Sequence, residues 1–182
     1  MKRITTTLSY LALVLLLTPT MAQDNSSHRA YRSQGSVALT ASSNASHREI
    51  IKDFLSTKGR SQAALNSLKM NQGNNNKRQT LTHYKATQAV NGLQIFGAYL
   101  KVSVATDGRL ISVIDNLVNH HGKMQQASIT NTRARDIAIN NLYQNNAPKF
   151  YKEPTIQKVA YADNTGALSV AYLVETWTDS EI

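Results

Sequence analysis

The chain has 182 residues, a formal net charge of +9 and no cysteine. That length allows one ordinary domain or two very small ones, and the missing cysteines exclude a disulfide framework, an iron–sulfur cluster and a thiolate zinc site. The basic residues are scattered singly, with "NKR" at 76–78 the densest spot, which reads as a solvated basic surface suited to an acidic protein partner or an anionic envelope surface rather than to nucleic acid. In chain order, Lys2 and Arg3 precede an apolar run from Leu8 to Leu17. The run has the length of a signal-peptide core and is too short to span a bilayer, so a stable membrane anchor is not expected. Thr20 and Ala22 supply the small residues of a cleavage site, and the expected signal is residues 1–22, cut after Ala22. Lys2 and Arg3 leave with it and residues 1–22 hold no acid, so the +9 falls to +7.

Residues 23–45 are rich in Ser, Asn and Gln without an apolar period, the pattern of a mobile leader. "SHREIIKDFLS" then opens with Ser46 and Glu49 in capping-box spacing, places Ile50, Ile51, Phe54 and Leu55 on one helical face, and can end at Gly59. "SQAALNSLKM" predicts a second short helix with Ala64, Leu65 and Leu68 inward, and "NQGNNNKRQ" a polar loop. Residues 83–113 predict three strands. Asn91-Gly92 suits a two-residue type I′ turn, and Asp107-Gly108 repeats the pattern. Between the turns the apolar positions change parity, from Leu93 and Ile95 to Ala98, Leu100, Val102 and Val104. A regular strand cannot do this, so a β-bulge near Phe96-Gly97 must absorb an extra residue.

A third helix is predicted after "NHHGKMQQ", capped by Thr130 or Asn131, with Ala134, Ile137, Ala138 and Leu142 on one stripe. Pro148 and Pro154 end that region, and "TIQKVAYA", a turn at Asp163–Gly166 and "ALSVAYLVETW" complete a hairpin. The expected fold class is α+β, with helices packed on antiparallel meanders in two small consecutive modules.

Catalytic chemistry is hard to find. The five histidines, His28, His47, His83, His120 and His121, form no H-E-x-x-H and no helical i, i+4 pair, so no metal site or cofactor is expected. Asp107, Asp115, Asp136, Glu153, Asp163 and Glu175 make no acid/base pair by sequence position. No G-x-S-x-G, P-loop or G-x-G-x-x-G occurs. The chain is expected not to be an enzyme.

The stretch "HYKATQAVNGLQIFGAYLKVSVATDGRLISVIDNLV" resembles the core of the fungalysin/thermolysin propeptide domain. The residues carrying the resemblance are His83, Tyr84, Gln88, Asn91, Gly92, Ile95, Phe96, Gly97, Asp107 and Gly108. "NTRARDIAINNLY" through "LSVAYLVETWT" is similar to the PepSY-like unit that follows it in such propeptides. The resemblance implies a propeptide-type domain at 46–120 and a PepSY-like module at 127–182, apparently truncated. It implies a secreted zinc metallopeptidase as partner, in cis in a longer precursor or in trans, with a chaperone or inhibitor role. The family's zinc ligands and catalytic glutamate match no position here. Phe96 and Tyr99 flank the expected bulge and are the candidate partner-binding residues. The alternative is a stand-alone envelope or extracellular protein-binding module with no protease partner.

Overall fold

A computed structural model describes residues 9–14, 28–34, 37–71, 73–75, 80–144 and 149–178. The expected cleavage point after Ala22, the "NKR" cluster and Pro148 lie outside the described residues. In chain order the elements are β1 (Ser9–Val14), β2 (Arg29–Arg32), α1 (His47–Thr57), α2 (Gln62–Asn66), β3 (Leu68–Met70), β4 (Asn74–Asn75), β5 (Leu81–Val90), β6 (Leu93–Ala105), β7 (Leu110–Asn116), β8 (Met124–Gln125), α3 (Asn131–Tyr143), β9 (Phe150–Ala162) and β10 (Leu168–Thr178). They fall into two compact units. One holds the described residues of Ala22–Lys123 with Ala162–Leu168, the other those of Met1–Met21, Met124–Tyr161 and Ser169–Ile182.

This corrects the α+β expectation. Among the described residues strand outnumbers helix by more than two to one, and the fold is mostly β-sheet with few helices rather than helices packed on meanders. The segment "SQAALNSLKM" shows how the difference arises. Ser61 caps α2, accepting from the Ala64 N–H at 3.2 Å, but the helix lasts five residues. So short a helix gains little from its own hydrogen bonds. Leu68–Met70 pairs instead with β5, Leu68 opposite Gln88.

In the first unit β5, β6 and β7 form an antiparallel meander; β2 lies on the outer side of β7, and β3 and β4 on that of β5. Arg29–Arg32, read from the sequence as part of a mobile leader, is thus a paired strand, and Leu39 and Ser43 donate their N–H groups to Leu110 O and Asp107 O at 2.8 and 3.0 Å. One face of the meander carries the core: Ala86, Leu100, Val102, Val104, Leu110 and Val113 pack with Ile50, Ile51, Phe54 and Leu55 of α1 and with Leu65 and Leu68. Helix α1 forms as its sequence dictates. Ser46 N donates to Glu49 Oε2 at 2.9 Å and Glu49 N to Ser46 Oγ at 3.3 Å, and the hydrogen bonds from Ser46 hold the Glu49 carboxyl below its ordinary pKa. Lys58 ends the helix. Gly59 (φ 82°) donates to Ser56 O and Arg60 N to Leu55 O, a Schellman closure.

The parity break resolves in β6. Thr87 pairs with Tyr99 and Ala89 with Gln94, so Gln88 alone stands opposite the four residues 95–98. The irregularity absorbs three extra residues where the sequence suggested one; being odd, that number still carries both Ile95 and Ala98 to the buried side. Gly97 sits there at φ 73°, with open space where a Cβ would stand. Backbone strain, not collision, therefore sets the cost of a side chain. Gly97→Val should destabilise the unit by about 1–3 kcal/mol in chemical denaturation; an unchanged midpoint would contradict the assignment.

The two turns differ. Asn91 (φ 51°) and Gly92 (φ 80°) are both left-handed, as a two-residue hairpin requires. The Asp107-Gly108 turn is not a repeat of it. Gly108 N donates to Ala105 O and only Gly108 is left-handed, so the loop is longer, and the register slips between Ser103 and Val104. A Cβ on Gly108 would collide with the Ser43 carbonyl.

In the second unit β10 pairs with β9, β1 and β8. Ser9–Val14, within the segment read as an export signal, is antiparallel to β10 from Trp177 to Tyr172. Thr130 caps α3, accepting from Arg133 N at 3.2 Å. Its buried stripe is narrower than expected: Ala134 and Ala138 are buried, Ile137 half-buried and Leu142 exposed.

Candidate functional site

Two buried polar networks fix the meander. The Schellman closure turns Arg60 inward, where its Nε donates to Asp115 Oδ2 at 2.8 Å and its Nη1 to Leu117 O at 2.6 Å. Asp115 Oδ1 accepts from Leu117 N at 3.0 Å. Both side chains are buried, and Arg60 Nη2 is buried without a partner. The second network centres on Gln88, fully buried at the register jump. Its Oε1 accepts from Val118 N at 2.7 Å, and its Nε2 donates to Val118 O at 2.9 Å and Ser67 Oγ at 3.2 Å. The motif glutamine is therefore a staple joining β5, the α2–β3 corner and the segment after β7.

His120 closes this network. Its Nδ1 accepts from Gly122 N at 3.1 Å, which leaves Nε2–H to meet Ser67 Oγ at 3.0 Å. Burial, aided by the charge of neighbouring His121, lowers its pKa from 6.5. The unfolded chain thus takes a proton at higher pH than the folded one. The stability contributed by neutral His120 should be complete above pH 6.5 and decline as pH falls through the depressed folded value. His120→Gln should flatten that slope in denaturant titrations at stepped pH; an identical slope in the variant would contradict the assignment.

The remaining motif residues serve the sheet. Tyr84 Oη meets His47 Nδ1 of α1 at 2.7 Å, with the rings edge to face. His83 Nδ1 meets Ser103 Oγ across the strands at 2.9 Å. Asp107 receives the Arg109 guanidinium at the turn. Neither Phe96 nor Tyr99 is buried: both are half-exposed. Tyr99 lies beside His28, its Oη 3.4 Å from Nδ1, with Lys101 Nζ 5.5 Å from the ring centroid. Asn116 Nδ2 donates to Gly97 O at 2.6 Å and pins the irregular stretch between them.

The structure does not gather the other candidate groups. His121 is exposed and meets Thr165 O, away from Ser67. Among the described residues no three His, Asp or Glu side chains are grouped to hold a metal ion, and no helix is long and apolar enough to cross a membrane. Sequence reasoning missed Arg60 and Ser67, weighed His120 only as a metal ligand, and left Asp115 without a partner. A signal for Asp115 existed: it alternates with Val113 and Leu117, so it occupies an apolar face and needs a buried partner.

The edges and faces of the meander then decide how it can meet another molecule. Both outer edges are taken by short strands, β2 on one side and β3 and β4 on the other, which limits pairing with an incoming strand. On the face opposite the core, Lys69, Lys85 and Lys101 are exposed. No curated relative matches the chain. The meander instead matches a motif of propeptides of secreted fungalysin- and thermolysin-like metallopeptidases, a propeptide motif rather than a catalytic domain, in keeping with a non-enzymatic module. Residues 76–117, spanning β5, the irregular β6 and β7, match the Fungalysin/Thermolysin Propeptide Motif.

Proposed function

We propose that the chain is an exported, non-catalytic propeptide-type module. It binds a thermolysin- or fungalysin-like zinc metallopeptidase as chaperone or inhibitor, joined to it in a longer precursor or acting as a separate chain. The observation that carries this reading is the motif match over 76–117, which covers the whole β5–β7 meander with both its turns. The helix-then-hairpin order of α3, β9 and β10 supports reading the second unit as a PepSY-like module. The basic n-region and short apolar run support export with cleavage after Ala22.

The physics of such a role needs no reactive side chain. A partner that binds the folded peptidase and not its unfolded chain stabilises it by mass action, and a covalent tether raises its effective concentration to the millimolar range. Half-exposed Phe96 and Tyr99 supply aromatic contact area beside the irregular stretch of β6. The test is refolding. A denatured thermolysin-like peptidase diluted into buffer should regain more activity with the full chain present, and hydrolysis by the native enzyme should slow as the chain is added. Neither effect at tens of micromolar would overturn the proposal.

A further inference from the structure

The face of the meander opposite the core carries an arrangement that folding alone does not favour. Strand register aligns its outward side chains in three rows. Lys69, Thr87, Tyr99 and Asn116 form the first; Lys85, Lys101, Ile114 and Ala30 the second; His83, Ser103, Ser112 and Arg32 the third. Lys69, Lys85, Lys101 and Arg32 are exposed, and no carboxylate stands in any row. Among the described residues none of these four cations is in an ion pair. Lys85 and Lys101 stand directly opposite each other, and like charges in that position destabilise a sheet. A local choice that opposes the fold marks a functional position.

We propose that this face, centred on the Lys85–Lys101 pair, docks an acidic face of a folded protein partner. A carboxylate-bearing surface laid across the rows would relieve the repulsion and meet Lys69 and Arg32 at the flanks. Half-buried Tyr99 and Ile114 give the centre an aromatic and an aliphatic contact inside a cationic rim, the layout of a protein interface. The three rows measure roughly 20 Å by 20 Å from strand spacing, about half of one side of a standard interface. Nucleic acid fits less well, because the single aromatic ring faces Lys101 and the sheet offers no stacking platform. A bilayer fits less well because the rows present no exposed large apolar side chain to insert. The inference deepens the peptidase reading, on which only the identity of the partner rests.

The experiment compares the full chain with Lys85→Glu/Lys101→Glu and with a control of equal charge change off this face, Arg48→Glu/Lys123→Glu. Each is titrated with a thermolysin-like peptidase, a glutamate-rich peptide, a DNA duplex and phosphatidylglycerol vesicles, at low and at physiological salt. The wild type should bind the acidic peptide with an affinity that falls with salt. The Lys85/Lys101 variant should lose about tenfold or more, and the control less than about twofold. Circular dichroism should show all three folded. Equal losses in the two variants, or no binding of the peptide, would overturn the proposal. So would tighter binding of DNA or vesicles that the same variant abolishes. Peptide binding lost in the variant, without peptidase binding by the wild type, supports the surface and refutes the peptidase as its partner.

Discussion

Asp115→Ala should destabilise the unit containing the meander by about 3–5 kcal/mol, because it removes one partner of a buried ion pair and leaves the other uncompensated. Asp115 is fully buried and holds both the Arg60 Nε at 2.8 Å and the Leu117 N–H at 3.0 Å. Alanine would strand the guanidinium, which already has one buried N–H without an acceptor. Asp115→Asn retains an oxygen for Leu117 N and should cost less than alanine. Arg60→Met should cost nearly as much as Asp115→Ala, while Arg60→Met/Asp115→Leu should cost less than the two single changes together, since the desolvation penalty disappears with the charges. Urea unfolding of the four variants measures this. A loss below about 1 kcal/mol for Asp115→Ala, the median value of a surface pair, would contradict the network.

Gln88→Leu should cost about 2–4 kcal/mol. The side chain fits the space but makes none of the hydrogen bonds, so the part-buried Val118 N–H and C=O lose their partners, at up to about 1–3 kcal/mol for each group left unmade. Because Gln88 stands alone opposite residues 95–98, the loss should also loosen the irregular stretch. Hydrogen exchange should then accelerate at Val118 and around Gly97 more than in α3. Gln88→Glu keeps the acceptor for Val118 N but buries a carboxylate against Val118 O, and should be no milder. Stability within about 0.5 kcal/mol of wild type for Gln88→Leu, the range of a surface substitution, would show that the glutamine is not a staple.

What the sequence disclosed was local. The Ser46–Glu49 box, the Asn91-Gly92 turn and the parity break before Ala98 each follow from sterics or hydrogen bonding within a few residues, and each is found. The miscounted features depend on distant partners. Leu68–Met70 looked helical by period and became a strand because β5 offered it a ladder. Arg29–Arg32 looked too polar to order and is held by the edge of β7. The Asp107-Gly108 loop takes a longer form, with Gly108 packed under the Ser43 carbonyl, 65 residues away in sequence numbering. The same holds at the candidate site. Phe96 and Tyr99 were legible as flanks of an irregularity, whereas the cation rows exist only once strand register is known. Gln88 was legible as a motif residue but not as the hub of a buried network, because Ser67, Val118 and His120 reach it from other elements.

The mechanical picture is of a sheet face held stiff from behind. The Arg60–Asp115 and Gln88–Val118 networks lock the core side of the meander, so the outward rows keep their register without support from a ligand. Preorganisation of this kind lowers the entropy that binding must overcome.

Isothermal titration calorimetry of the full chain with a folded thermolysin-like zinc metallopeptidase tests this account most directly. Saturable binding at one chain per peptidase, weakened in Tyr99→Ala while circular dichroism is unchanged, is the result the account predicts. No heat of binding at tens of micromolar, with both proteins folded, would contradict it.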